Sequence, residues 1–252
     1  MFPLRDDNPT LRTSIVTFSL IAANVASWIF VQGLGTESKL VESVCRLGVI
    51  PGELLGTVPA GTMVPLGPGH ACQIEGTPHW ATLLTAMFMH GGWLHLIGNM
   101  WFLAVFGDNV EDSMGRVRFL LFYLLCGLAA ALAEVVAQSG SALPMVGASG
   151  AIGGVMGAYA VLYPRAPVHM LVIIFFYVTR IVVPAIALLG YWFLIQLLSG
   201  FGSIGASGGG GTAFWAHAGG FLAGVTLIFL FRDPRLVAAH RAALARGHFR
   251  PT

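Results

Sequence analysis

The sequence predicts an all-α, polytopic membrane protein with six transmembrane helices, and three observations carry that expectation. Hydrophobic residues make up 56% of the 252-residue chain and charged residues 10%, where soluble domains carry roughly a quarter; mean hydropathy is +0.79. Apolar blocks near the length of about 20 residues that a helix needs to cross the hydrocarbon core occur six times. The basic residues also sort by position: with the N-terminus inside, ten of the thirteen Lys and Arg fall on the cytoplasmic side, as the positive-inside bias requires. A net charge of +2 gives no indication of nucleic acid as a partner.

The blocks run roughly from Ser14 to Val31, Leu83 to Phe106, Val117 to Val136, Met145 to Tyr163, Pro184 to Ser199 and Ala213 to Phe231. They set a membrane domain over residues 14–231, between a cytoplasmic N-terminus (1–13) and a basic tail (232–252) expected to be solvated and to touch anionic lipid. The first twelve residues are polar and the block after them is long enough to span, so targeting is expected through the first span and not through a cleaved signal. Arg5, Arg12, Arg116, Arg118, Arg165, Arg232, Arg235, Arg241, Arg246 and Arg250 form the inner set, Lys39 and Arg46 lie outside, and Arg180 is undecided.

Residues 32–82 then form a long external loop carrying Cys45 and Cys72, which are either a disulfide or two free thiols. Cys126 lies within the third span. A second external loop, residues 200–212, contains four consecutive glycines from Gly208 to Gly211, and reads as a plain flexible connector or as a lid. The apolar stretch from Val168 to Val178 is too short to span. Arg180 and Pro184 separate it from the fifth helix, so it is expected at the interface or as a kinked extension of that helix.

Polar side chains inside a membrane are costly and each asks for a reason. Ser149 lies at the external end of the fourth span in Gly147-Ala148-Ser149-Gly150, His217 near the external end of the sixth, and His95 and Asn99 near that of the second. These three even-numbered spans descend from the outside in the same direction, so their polar residues share one leaflet. A serine hydroxyl becomes a nucleophile when a neighbouring base takes its proton, and a neutral imidazole is suited to do so. An oxyanion formed by its attack would need preplaced donors: the Asn99 amide, a His95 ring N–H and the Ser149 backbone N–H near a helix N-terminus. His95 and Asn99, four apart, share a helix face.

Taken singly, a serine or asparagine in a membrane helix ordinarily bonds a neighbouring helix, and His90 reads as a structural histidine bridging a loop. Gly150, Gly153, Gly154 and Gly157 on the fourth span, and Gly220 and Gly224 on the sixth, read as close-packing contacts. The two readings cooperate, since such faces would let Ser149 and His217 meet.

At these residues the sequence resembles the rhomboid family of intramembrane serine proteases. The points of contact are Gly147 to Gly150, His217 followed by Gly220 and Gly224, and His90, His95 and Asn99. The resemblance implies a six-helix bundle with a Ser149–His217 dyad lacking an acidic third member, and an oxyanion hole of Asn99, His95 and the Ser149 amide. It further implies single-pass transmembrane proteins as substrates, cut in or near their membrane segment, and no metal or organic cofactor. Lateral access between the second and fifth helices would present Trp101, Phe102, Trp192 and Phe193, which are equally explained as lipid contacts. Glu134, the one acid within a span, is expected to be poorly placed to orient His217. The chain departs from the family at Gly153, where many members carry Tyr or Phe packed on the histidine, and by lacking an evident Trp-Arg pair in the first external loop.

A zinc enzyme would want His-Glu-x-x-His, whereas His90 and His95 are five apart with no glutamate between; an aspartyl enzyme would want two aspartates within spans. A catalytically silent client-binding relative and a small-solute transporter are the competing readings. Twelve arginines against one lysine point to a bacterial plasma membrane as the location.

Overall fold

A computed structural model describes residues 2–174, 176–203 and 212–245. The chain runs β1 (Phe2–Asp6), α1 (Ile15–Phe30), α2 (Glu37–Leu47), α3 (Pro51–Leu54), β2 (Met63–Gly67), β3 (His70–Gln73), α4 (Thr82–Thr85), α5 (Trp93–Met114), α6 (Arg116–Ala137), α7 (Ser149–Leu162), β4 (Pro167–Ile174), β5 (Tyr177–Pro184), α8 (Ala185–Ser203), α9 (Phe214–Phe231) and α10 (Pro234–Ala245). Single 3-10 turns lie at Gly33–Gly35 and Ala86–Phe88. The fold is thus mostly helical but not all-α, because two small antiparallel sheets, β1-β4-β5 and β2-β3, accompany the helices.

Three helices among the described residues are long and apolar enough to cross a membrane, Arg116–Ala137, Ala185–Gly202 and Phe214–Phe231; α1 and α7 are apolar but shorter. The second block departs most from expectation. Leu83 to Phe106 is not one helix: α4 and a 3-10 turn end at Phe88, and α5 begins only at Trp93, after Gly91 and Gly92, then runs on to Met114. Its far end tolerates Glu111 and Asp112 because the N-terminal segment satisfies them. Glu111 accepts the backbone N–H groups of Val16 (3.1 Å) and Thr17 (2.8 Å) and the Thr17 hydroxyl (2.8 Å), serving the unpaired first turn of α1. Asp112 accepts the Leu11 N–H at 3.0 Å and Arg12 Nε at 2.9 Å.

Helix α7 sits at the centre, with nearly every residue buried, packed on α5, α6 and α9. A helix hydrophobic on all sides is expected in such a position. Its glycines set the spacing: a Cβ at Gly220 or Gly224 of α9 would run into the carbonyl oxygens of Gly150 and Gly154.

The stretch from Val168 to Val178 is not a kinked extension of α8. It forms a β-hairpin, β4 pairing β5 from Pro167↔Pro184 to Ile174↔Tyr177, while β1 pairs the other edge of β4. The run is rich in β-branched residues, and its prolines stand at the strand ends where a missing N–H is tolerated. Cys45 and Cys72 are joined by a disulfide, Cα–Cα 5.4 Å, tying α2 to the β2-β3 hairpin and giving the first long loop an ordered frame. The tail is more than a solvated end: α10 packs on α5, with Val237 and His240 buried and His240 Nε2 3.0 Å from the Pro9 carbonyl. Gly208 to Gly211, Arg246 and Arg250 lie outside the described residues.

Candidate active site

Ser149 is the first residue of α7, so its backbone N–H belongs to the turn that has no intrahelical acceptor. The chain enters that turn through Gly147, whose φ of +130° favours glycine and whose missing Cβ leaves room for His95; an added Cβ would stand 2.7 Å from His95 Nε2. The Gly147 N–H donates to the Ala86 carbonyl at 2.9 Å, which fixes the approach. His217 lies in the first turn of α9. Because the glycine faces of α7 and α9 bring their backbones into contact, Ser149 Oγ and His217 Nε2 come to 2.7 Å of each other, across 68 residues of sequence.

His95 and Asn99 project from the first turns of α5 into the same space. Ser149, His217, His95 and Asn99 all line one cavity of about 320 Å³, together with Phe102 and Trp192. Asn99 Nδ2 is buried and has no hydrogen-bond partner among the described residues. An orphaned buried amide donor is rare and asks for a ligand or a developing charge to meet it. The Gly91 N–H donates to His95 Nδ1 at 3.2 Å; a neutral imidazole accepting there carries its proton on Nε2, the nitrogen beside Gly147. A larger cavity of about 700 Å³, bordered by α2 and the α6–α7 connection, shares His95, Val146, Thr212 and Ala213 with the smaller one.

His90 is fully buried. Gln32 pins its backbone on both sides, accepting from the His90 N–H and donating to its carbonyl, each at 2.8 Å, and its ring meets that of His95 edge-on at 5.2 Å. It therefore bridges a loop and buttresses His95, without lining the 320 Å³ cavity.

Three contributions lay outside the reach of the sequence. Glu134 does not touch the imidazole, but its carboxylate accepts the Ala216 N–H at 2.8 Å and so anchors the first turn of α9, next to His217. Gln196 of α8 is buried with its Oε1 2.7 Å from His217 Nδ1. Trp192, one turn before it, lies 5.7 Å from the His217 ring at 39°, and its edge is 3.6 Å from where a Cβ at Gly153 would stand. An aromatic ring thus does pack on the histidine, supplied by α8 instead of by position 153. Phe193 stacks on Phe221 at 4.6 Å and Trp101 Nε1 donates to the Pro3 carbonyl, so neither is merely a lipid contact. The glutamine had one faint signal, an amide facing an otherwise apolar helix; the separations of 21 and 82 residues to its and Glu134's partners carried none.

A hydroxyl and an imidazole in direct contact, beside a buried amide donor with no partner among the described residues, are the kinds of group that acyl transfer would use. Residues 77–234, more than half of the chain, match the Rhomboid domain, and the chain belongs to the rhomboid family. It is 38% identical over 85 residues to RHOMBOID-like protein 6, mitochondrial, of Arabidopsis thaliana, covering 34% of this chain and 27% of that protein. Rhomboid protease GluP of Bacillus subtilis (strain 168) is 37% identical over 133 residues, 52% of this chain and 25% of GluP. Rhomboid-like protein 11, chloroplastic, of Arabidopsis thaliana is 40% identical over 77 residues, 31% and 27% of the two chains. The matched region thus spans about a quarter of the length of these relatives. With its apolar helices, the chain is an integral membrane protein.

Proposed function

We propose that this chain is an intramembrane serine endopeptidase acting through Ser149 and His217 on single-pass transmembrane proteins. The observation that carries the reading is the 2.7 Å contact between Ser149 Oγ and His217 Nε2 inside the cavity that also receives Asn99 and His95. His217 takes the hydroxyl proton as Oγ attacks the scissile carbonyl. The developing oxyanion is met by Asn99 Nδ2, by His95 Nε2–H and by the Ser149 N–H. His217 then returns the proton to the leaving amine, and water reverses the sequence to release the acyl-enzyme. The adjoining 700 Å³ cavity gives that water a route.

In this reading the helices α1, α5, α6, α7, α8 and α9 are six spans of a membrane domain over residues 14–231, both termini are cytoplasmic, and membrane lipid is the surrounding partner. The Cys45–Cys72 disulfide supports the orientation, because such bonds persist in oxidising compartments and this loop lies at the Ser149 end. Relatives named for mitochondria, chloroplasts and a Bacillus protease are all similar to the chain, so the comparison does not favour the bacterial plasma membrane that arginine usage suggests. The test is cleavage of a single-pass substrate with a small residue at the cut site, in proteoliposomes, by wild type and by Ser149→Ala and His217→Ala variants. Both variants are expected to fold and to lose cleavage altogether; cleavage by Ser149→Ala sinks the assignment, and binding without cleavage by wild type favours a silent, client-binding relative.

A further inference from the structure

We infer that Gln196 is the third member of the site: its side-chain oxygen holds the His217 Nδ1–H and thereby sets the tautomer that leaves Nε2 free to take the Ser149 proton. The inference rests on the endopeptidase reading above. A neutral imidazole carries one proton on one of two nitrogens, and only the Nδ1–H form presents a lone pair to a serine hydroxyl at Nε2. His217 contacts an acceptor that cannot donate, Gln196 Oε1, at Nδ1 and a hydroxyl able to donate, Ser149 Oγ, at Nε2, each at 2.7 Å. That pairing selects the productive form. An amide serves as the third member in Cys–His–Asn triads as well.

The placement is secure for physical reasons. Gln196 is buried within α8, and a buried amide on an apolar helix is stabilised by such a bond. Trp192 and Gln196, four apart, lie on one face of α8, so the same helix fixes the plane of the imidazole through the indole and its rotation through the amide. This answers the glycine at position 153. Among the described residues the charged and titratable groups around His217 are few: His95 of α5 shares the cavity, and Glu134 of α6 is bonded to the Ala216 N–H. Neither touches Nδ1, so during the reaction the imidazolium proton at Nδ1 is held by Gln196. Gln196 is a positioning residue, since it acts through His217.

Two variants and one spectroscopic measurement test this. Gln196→Leu keeps an apolar packing side chain and removes the acceptor; it is expected to lower kcat by roughly 10²-fold, within the range that a positioned general base contributes, with KM unchanged. Gln196→Glu keeps an acceptor and adds charge; it is expected to retain activity at alkaline pH while the acidic limb of the kcat/KM profile moves to higher pH, because a carboxylate favours the imidazolium that cannot act as base. Equal kcat for wild type and Gln196→Leu, or an unmoved acidic limb in Gln196→Glu, overturns the proposal while leaving the dyad reading intact, since that reading fails only if Ser149→Ala or His217→Ala still cleaves. Should the leucine variant not fold, ¹⁵N-histidine NMR of the wild-type protein decides: His217 is expected to carry its proton on Nδ1, and a bare Nδ1 with Nε2–H overturns the inference.

Discussion

The two ends of helix α5 are both polar and are built to opposite ends. Near its start, His95 and Asn99 face a cavity, and Asn99 Nδ2 has no partner among the described residues. Near its finish, Glu111 and Asp112 are buried, yet each carboxylate is met by backbone N–H groups of the N-terminal segment, Thr17 or Arg12. The first end holds hydrogen-bonding capacity in reserve for something that comes and goes. The second engages both carboxylates within the chain, stapling the N-terminus to the bundle. A donor that must stabilise a transient charge cannot already be satisfied, whereas a buried carboxylate in a resting structure must be.

Substitutions at the two ends should therefore separate activity from stability. Asn99→Ala is expected to lower kcat by roughly 10²- to 10³-fold, the usual loss for one oxyanion donor, while thermal unfolding in detergent stays unchanged or rises slightly, because an unpaired buried amide is removed. A fall in unfolding temperature with kcat intact would mean that the amide is structural. At the other end Glu111→Ala leaves the first-turn N–H groups of α1 without their acceptor and should destabilise by about 1–3 kcal/mol, with kcat of the folded fraction unchanged; equilibrium unfolding alongside single-turnover cleavage checks both halves.

The smallest effect is expected at Asp6, in the N-terminal strand. Burial pushes its carboxyl up from the ordinary 3.8 to about 6, partly offset by the hydrogen bond from Tyr159. The folded protein then holds this proton more tightly than the unfolded chain does. Its contribution to stability is fully present below about pH 4 and declines as pH rises to about 6, after which it is flat. Asp6→Asn should remove that slope; an identical pH dependence of unfolding between pH 4 and 7 in the two proteins would show that Asp6 is not its source.

How much of this was legible in the sequence depends on the range of the interaction. Ser149, His217, His95 and Asn99 could be singled out because a polar residue in an apolar block stands out locally, and the alternation of spans then places all four at one depth. The second span was misjudged because α5 takes its acidic end from beyond the apolar block, and that end is acceptable only through partners about 100 residues away. The hairpin was missed for a different reason: an apolar run of ten or so residues has the same composition in a strand as in a helix, and what selects the strand is the edge offered by β1, more than 160 residues earlier.

By itself the sequence determined that this chain lives in a membrane, that α7 and α9 can approach closely, and which polar side chains stand together at one depth, because composition, periodicity and glycine spacing are properties of neighbouring residues. Only the tertiary structure decided that Gln196 meets His217 Nδ1, that Trp192 takes the place beside Gly153, that Glu134 anchors the start of α9 and that the N-terminus closes the far end of α5. Each of these is a single contact between segments remote in the chain, and a contact of that kind exists only once the helices have found their packing.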